Sequence, residues 1–174
     1  MSLSLLSINR LSSFALETIE VRASEISVLL AQIPVDRAMH QVDIDTYADG
    51  GAAHQLRDLL RTAAGKDQWV TANKLMARKR PHLLPVYDNK VRQLLGAPDS
   101  LWRCLWTWFD QDPHRVTRLT NIRSSAGGIE DISLLRCLDI VLWMQATGRA
   151  SWTSPDTKRH DATRDRRAHS ETGW

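Results

Sequence analysis

Apolar residues recur along this chain with the period of about 3.6 that is typical of helices. No alternating run is long enough to predict a strand. From Ala15 to Gln32 the helical pattern is regular, and Pro34 ends it. Residues 35–48 are less regular and are predicted to form a short connection. The same helical spacing predicts further helices over 52–63, 68–80, 89–95, 101–110, 113–124 and 132–144. We therefore predict an all-α protein, a single compact bundle of about six to seven helices.

Short polar residues, glycines and prolines mark where these helices should begin and end. The predicted N-caps are Asp67, Ser100 and Asp131, whose side-chain oxygens can accept hydrogen bonds from the first free amides. Gly65 and Gly96 are predicted to close the helices before them. Pro81 stops the helix over 68–80, because the residue before a proline is pushed out of the α region. Residues 83–87 should then be extended.

Two apolar segments lead to expectations about the core. Within 101–110, the residues expected to face inward are Leu101, Leu105, Trp108 and Phe109, with Trp102 or Trp106 near the rim. Residues 132–144 are apolar almost all round, which predicts a central buried helix. That helix carries Arg136 and Asp139 about one turn apart. They form either a structural salt bridge or a buried functional pair.

The length of 174 residues fits one domain. We place it at 14–147, with 1–13 as a peripheral N-terminal segment. Residues 148–174 contain almost no aliphatic side chains and cannot offset the entropy of ordering, so we predict a disordered polar tail. No apolar run approaches the roughly 20 residues that span a bilayer, and no cationic segment precedes the short apolar run over 3–8. We therefore expect a cytoplasmic protein without a membrane partner.

The cysteines and histidines do not indicate a metal site. The chain has two cysteines, Cys104 and Cys137, too few for an iron–sulfur cluster or a four-cysteine zinc site. Both lie in apolar helical patterns, which predicts buried free thiols. The six histidines are scattered, and no pair shows metal-ligand spacing. We expect no metal and no cofactor.

Positive charge is concentrated between residues 74 and 92. The chain has a net charge of +3, but this stretch has an excess of five positive charges, so the rest of the chain sums to −2. The cations of the stretch are Lys74, Arg78, Lys79, Arg80, Lys90 and Arg92. Such a patch attracts nucleic-acid phosphates; the alternative is a solvated face. Tyr87 lies within the stretch and either stacks on a base or sugar or packs against Trp69.

Asp88 is the one acidic residue of this stretch and opens the helix predicted over 89–95. At a helix N-terminus its carboxylate can accept hydrogen bonds from free amides and interact with the positive end of the helix dipole. This position suits two different roles. Asp88 either fixes the start of the helix or faces a developing cation or a water as a catalytic group.

The segment TANKLMARKRPHLLPVYDNKVRQLLG, residues 71–96, resembles the active-site segment of helix-hairpin-helix DNA glycosylases. In that superfamily a Thr-Ala-Asn-like turn leads through a proline-containing connector to a catalytic Asp. The resemblance implies that Asp88 stabilises an oxocarbenium-like sugar while water replaces a flipped base. The stretch aligned with the family's glycine-rich hairpin, residues 64–68, has Lys66 and Gln68 where its two glycines fall. Val70 occupies the place of the lyase lysine, which excludes Schiff-base chemistry.

A second resemblance covers most of residues 48–147. KLMARKRPHLLPVYDNKV together with DISLLRCLDIVLWM is similar to an uncharacterised actinobacterial family known only as a domain of unknown function. It implies an intact small domain of similar size and implies no activity.

These observations lead to three hypotheses. In the first, the protein binds DNA or another nucleic acid, with Asp88 at the floor of a basic groove, and is a divergent or inactive relative of helix-hairpin-helix DNA glycosylases. In the second, it is a non-enzymatic helical protein–protein interaction module. In the third, Asp88 hydrolyses a nucleotide or an N-glycoside. Whether the protein is an enzyme stays open at this point.

Overall fold

The computed structural model describes residue 17 and residues 19–63 and 68–149. These residues contain helices and no strand, so the predicted all-α class is confirmed. The α-helices are α1 (Ala23–Gln32), α2 (Ala52–Ala63), α3 (Trp69–Lys79), α4 (Asn89–Leu94), α5 (Leu101–Gln111), α6 (His114–Ala126) and α7 (Leu134–Ala146). Two 3₁₀ turns, Met39–Gln41 and Ile44–Tyr47, lie in the connection between α1 and α2. The predicted polar tail lies outside the described residues from position 150 onward.

Most predicted helix bounds are confirmed to within a residue or two, because glycines and prolines interrupt the helical period at the observed ends. Ser100 caps α5 as predicted, accepting a hydrogen bond from Arg103 N. The prediction for α7 is wrong: its N-cap is Ser133, whose Oγ accepts from Arg136 N at 3.0 Å, and Asp131 lies in the turn before it. The N-cap position of α3 is occupied by Gln68, so the prediction of Asp67 as its N-cap is wrong; Asp67 itself and Gly65 lie outside the described residues.

The segment between α3 and α4 is only partly extended. Residues 81–84 form a turn, in which Leu83 N and Leu84 N both donate to Arg80 O, at 3.1 and 2.9 Å. The chain then runs without helical structure from Pro85 to Asp88. The prediction of an extended 83–87 is therefore wrong at its first two positions, because a turn closes on the end of α3 before the chain straightens.

This connector, defined as residues 81–88, lies at the centre of the fold. Leu83, Leu84 and Pro85 are among its fully buried side chains. Four hydrogen bonds from other parts of the chain hold its backbone: Ser133 Oγ to Pro81 O (2.6 Å), Met39 N to His82 O (2.9 Å), Tyr47 Oη to Leu83 O (3.1 Å) and Val86 N to Asp139 Oδ2 (2.9 Å). Buried backbone groups need such partners. The connector, and with it the start of α4, is therefore held in one position.

The core differs from the sequence expectation at two tryptophans. Leu101, Leu105 and Phe109 are buried as expected. Trp102, expected near the rim, is 3% exposed, whereas Trp108, expected inside, is only half-buried. The reason is that α5 packs against the two 3₁₀ turns, and Trp102 meets Tyr47 there with ring centroids 6.2 Å apart.

Helix α7 is not the central buried helix that its composition predicts. It packs against α4 and α6, and its first half buries Leu135, Cys137 and Leu138. Its second half exposes the apolar residues Val141, Trp143 and Met144. An apolar pattern all round a helix does not specify how many neighbours cover it, and here the described residues cover one side.

The sequence expectation of two buried cysteines is met in part. Cys137 is buried, as predicted, but Cys104 is only half-buried. Within the described residues no helix has the length and apolar character needed to cross a bilayer.

Candidate functional site

A cavity of about 430 Å³ opens between α2, α3, α4 and the turn that precedes α5. Its lining combines basic, aromatic and amide side chains. The lining residues used below are Arg57, Arg61, Trp69, Asn73, Tyr87, Arg92, Ala97, Asp99 and Trp102. We call this space the arginine cavity.

Three guanidinium groups line the arginine cavity. Arg57 and Arg61 are four residues apart on α2 and therefore share one face of that helix. Arg92 comes from α4. Asp58 contacts both α2 arginines: its Oδ1 is 3.4 Å from Arg57 Nε and 3.7 Å from Arg61 Nη1. These contacts with Asp58 orient the two guanidiniums on α2.

The aromatic rings of the cavity are of two kinds. Trp69 and Tyr87 meet edge to face, with centroids 5.3 Å apart and planes at 67°, and both are half-buried. Tyr87 therefore does pack against Trp69, one of the alternatives from the sequence. Trp102 is buried, with the Arg57 guanidinium 5.3 Å from its ring centroid and the His54 ring in T-shaped contact at 4.8 Å. Trp102 is a wall of the cavity, whereas Trp69 and Tyr87 can receive a flat ligand.

The polar side chains of the cavity wall differ in whether they have a hydrogen-bond partner. Asn73 is 4% exposed and its Nδ2 donates to Trp69 O at 2.8 Å, which fixes the side chain on α3. The Tyr87 hydroxyl is buried and makes no hydrogen bond of good geometry within the described residues. Burial raises the pKa of Tyr87, and the nearby Arg92 guanidinium opposes that rise. The phenol therefore keeps its proton and remains a donor.

The turn between α4 and α5 forms one side of the cavity and has an unusual backbone. Gly96 closes α4 as predicted, with φ +71°. Gly96 N donates to Gln93 O and Ala97 N donates to Arg92 O at 2.8 Å, the hydrogen-bond pair of a Schellman motif. Ala97 also has a positive φ of 54°, which costs a residue with a Cβ about 1 kcal/mol. This turn directs residues 97–102 over the cavity.

Asp88 caps α4. Its Oδ1 accepts hydrogen bonds from Lys90 N at 2.9 Å and from Val91 N at 3.0 Å. Neither bond uses Oδ2, and the residue is half-buried. Asp88 is not among the residues that line the arginine cavity, although Tyr87 before it and Arg92 one turn later both are.

Behind the connector lies a second carboxylate, Asp139 of α7, which is 7% exposed. Its Oδ2 accepts from Val86 N at 2.9 Å and is 3.2 Å from Arg136 Nη1. Burial raises the pKa of Asp139 to about 7; Val86 N and Arg136 oppose the rise, and the negative charge of Asp88 adds to it. The Arg136–Asp139 contact is thus an ion pair when the carboxyl is ionised, and the bond from Val86 N to Asp139 fixes the connector.

The other cations expected in the site are spread over different environments. Lys74 is half-buried, whereas Arg78, Lys79 and Lys90 are exposed on α3 and α4. Arg80 is 8% exposed. Its guanidinium donates to Ile33 O at 3.0 Å, to Lys79 O at 2.9 Å and to Leu30 O. Arg80 therefore closes the C-terminus of α1 and has little capacity left for a phosphate.

Sequence reasoning missed Arg57 and Arg61. The signal was present in HQLRDLLRTA, residues 54–63, where two arginines four apart lie on the polar face of a strongly amphipathic helix. Only tertiary structure brings them to Tyr87 and Arg92, because α2 packs against α3. No group of three histidine, cysteine or acidic side chains among the described residues is arranged to hold a metal ion.

Residues 1–146 match a family of unknown function, DUF6308, so the chain belongs to that family. The match begins at the first residue and ends with α7. The resemblance of residues 74–91 and 131–144 to a family of unknown function is therefore confirmed at that level. No curated protein and no solved structure matches the chain.

Proposed function

We propose that this member of the DUF6308 family is a nucleic-acid-binding protein. The observation that carries the proposal is the arginine cavity, in which three guanidiniums and the Trp69–Tyr87 pair surround one space. Guanidinium groups bind phosphate oxygens through forked hydrogen bonds, and aromatic rings stack on bases. This combination suits a ligand that is both anionic and aromatic. The proposal includes a cytoplasmic location, where a protein can meet nucleic acid.

Exposed cations on the same two helices extend the surface beyond the cavity. Arg78 and Lys79 lie in the last turn of α3, and Lys90 lies in the first turn of α4. Charges of this kind contact phosphates along a strand and release counterions, which makes binding strongly salt-dependent. Lys74 is half-buried and has a lesser part, and Arg80 has a structural role instead.

The proposal includes divergence from helix-hairpin-helix DNA glycosylases as one possible origin. Asn73 and Tyr87, which belong to the segment resembling those enzymes, both line the cavity. Asp88 follows Tyr87 and keeps Oδ2 outside its capping bonds. The proposal does not require catalysis by Asp88, because the capping contacts account for an aspartate at this position.

The test is the affinity for a fluorescein-labelled DNA strand, measured by fluorescence anisotropy between about 50 and about 200 mM salt. We expect measurable binding at the lower salt and a steep loss as salt rises. Arg78→Ala with Lys79→Ala should weaken binding and reduce the slope against log salt by about one per charge removed. Arg118→Ala is the matched control, since Arg118 is exposed on α6, which contributes no residue to the cavity lining. Absence of binding at low salt would overturn the proposal.

A second candidate function, a protein–protein interaction module, is favoured by one observation. The second half of α7 exposes Val141, Trp143 and Met144, and Leu94 of the adjacent α4 is also exposed. Sedimentation of the wild type and of a Trp143→Ser, Met144→Ser variant tests whether a second copy covers this face. If only this function exists, the protein sediments as a complex that the variant dissociates, and labelled DNA does not bind.

A further inference from the structure

We infer that the arginine cavity receives one unpaired nucleotide of a nucleic-acid strand, so that the protein prefers single-stranded to duplex regions. This inference rests on the nucleic-acid binding proposed above. It adds the structural class of ligand and the number of nucleotides held, neither of which follows from positive charge alone.

The size of the cavity limits what can enter. Its volume of about 430 Å³ lies toward the small end of ligand sites, which run from about 300 to about 1,000 Å³. This is enough for a base with its sugar and phosphate and too little for two stacked nucleotides. A base inside a duplex is covered on both faces by its neighbours, so it cannot enter unless it leaves the stack.

The aromatic lining limits the number of bases in the same way. The Trp102 ring is already surrounded by protein groups: the Arg57 guanidinium, the His54 ring and the Tyr47 ring. Trp69 and Tyr87 are half-buried and meet edge to face with their planes at 67°, so a base can lie flat on only one of the two rings, and the pair offers one stacking platform. One platform accommodates one base, and such stacking contributes about 1–3 kcal/mol. The Tyr87 hydroxyl lies at that platform and gains a partner if a polar atom of the base approaches it.

The charge of the cavity favours a strand over a free nucleotide. Arg57, Arg61 and Arg92 supply three positive charges. Asp58, which pairs with the α2 arginines, and Asp99 of the lining supply two negative charges. A single phosphodiester carries one negative charge, which one of these guanidiniums can neutralise. A nucleoside triphosphate carries several, and part of that charge would stay uncompensated among acidic neighbours.

The experiment compares four probes by anisotropy in low salt. They are a labelled DNA strand of about 12 nucleotides, the same strand annealed to its complement, the strand with abasic positions throughout its middle, and the strand with ATP as competitor. We expect the intact strand to bind at least about tenfold more tightly than the duplex. Loss of one stacked base should weaken binding about five- to 150-fold. ATP in excess should not displace the strand.

Variants of single residues test which side chains cause the preference for a single strand. Trp69→Leu should bind intact and abasic strands equally, because it removes the platform while keeping an apolar side chain. Arg92→Ala is the second variant: Arg92 is exposed, so the change should leave the fold intact and weaken strand binding more than duplex binding. Arg118→Ala should keep the full preference.

The outcomes separate the two proposals. Three results with the wild-type protein would each overturn the single-nucleotide inference while leaving nucleic-acid binding in place. They are equal affinity for strand and duplex, equal affinity for intact and abasic strands, and displacement of the strand by ATP. Failure of every nucleic-acid probe to bind at low salt would overturn both.

Discussion

Replacing Asp139 with asparagine removes a buried ionisable group while nearly keeping its shape. The carboxylate accepts from Val86 N at 2.9 Å and contacts Arg136 Nη1 at 3.2 Å. The asparagine carbonyl can keep the first contact, so the connector should stay attached to α7. What changes is the dependence of stability on pH.

The magnitude follows from the pKa of Asp139, which burial raises from 3.8 to about 7 in the folded protein. Between about pH 4 and about pH 7 the folded state holds a proton that the unfolded state has released. The contribution of Asp139 to the free energy of unfolding therefore falls as pH rises through this window and becomes level above it. A difference of about three pKa units corresponds to about 4 kcal/mol, which is an upper limit on the change.

The assay is urea unfolding followed by tryptophan fluorescence, which reports on the buried Trp102, at several values from about pH 4 to about pH 8. The stability of the wild type relative to Asp139→Asn should decrease by up to about 4 kcal/mol as pH rises across this range. Asp131→Asn, a change at an exposed carboxylate, is the control and should keep the wild-type pH dependence. A difference between wild type and Asp139→Asn that stays constant with pH would refute the assignment of a raised pKa to this group.

Three further predictions concern single contacts and are checked by the same unfolding measurement. Arg80→Ala should destabilise the protein by about 3 kcal/mol, because the buried carbonyl of Ile33 loses the guanidinium that donates to it. Arg78→Ala, at an exposed position two residues earlier, should cost less than about 0.5 kcal/mol, and equal effects would contradict the structural role of Arg80. Ala97→Gly should stabilise the protein by about 0.5 kcal/mol, since glycine adopts the positive φ without strain, and a loss of stability would show that the Cβ makes a needed contact. Asp88→Asn should cost a few tenths of a kcal/mol and Asp88→Ala about 1 kcal/mol, and a large loss with asparagine would mean that the charge matters beyond capping.

The sequence predicts those parts of the fold that depend on near neighbours. The helices follow from a local period interrupted by glycine and proline, and Asp88 caps α4 because its partners are two and three residues away. The N-cap of α7 was misplaced by two residues because Asp131 and Ser133 are both good caps. The choice of Ser133 depends on its second bond, to Pro81 O.

The site was predicted only where it is local. Tyr87 and Arg92 lie in the basic stretch and do line the cavity. Arg80 belongs to the same stretch, yet its guanidinium reaches carbonyls at Leu30 and Ile33. Composition cannot show that such a cation is already engaged. Arg57 joins the cavity only through the packing of α2 on α3, a tertiary contact that no local pattern specifies.

Photochemical crosslinking tests whether the arginine cavity is the site that binds nucleic acid. A DNA strand carrying a photoreactive uracil would be irradiated with the protein, and mass spectrometry would identify the attached residues. We expect attachment at Trp69 or Tyr87, and this attachment should be lost in competition with unlabelled strand. Attachment only at residues outside the cavity, such as Trp143 on α7, would contradict this expectation.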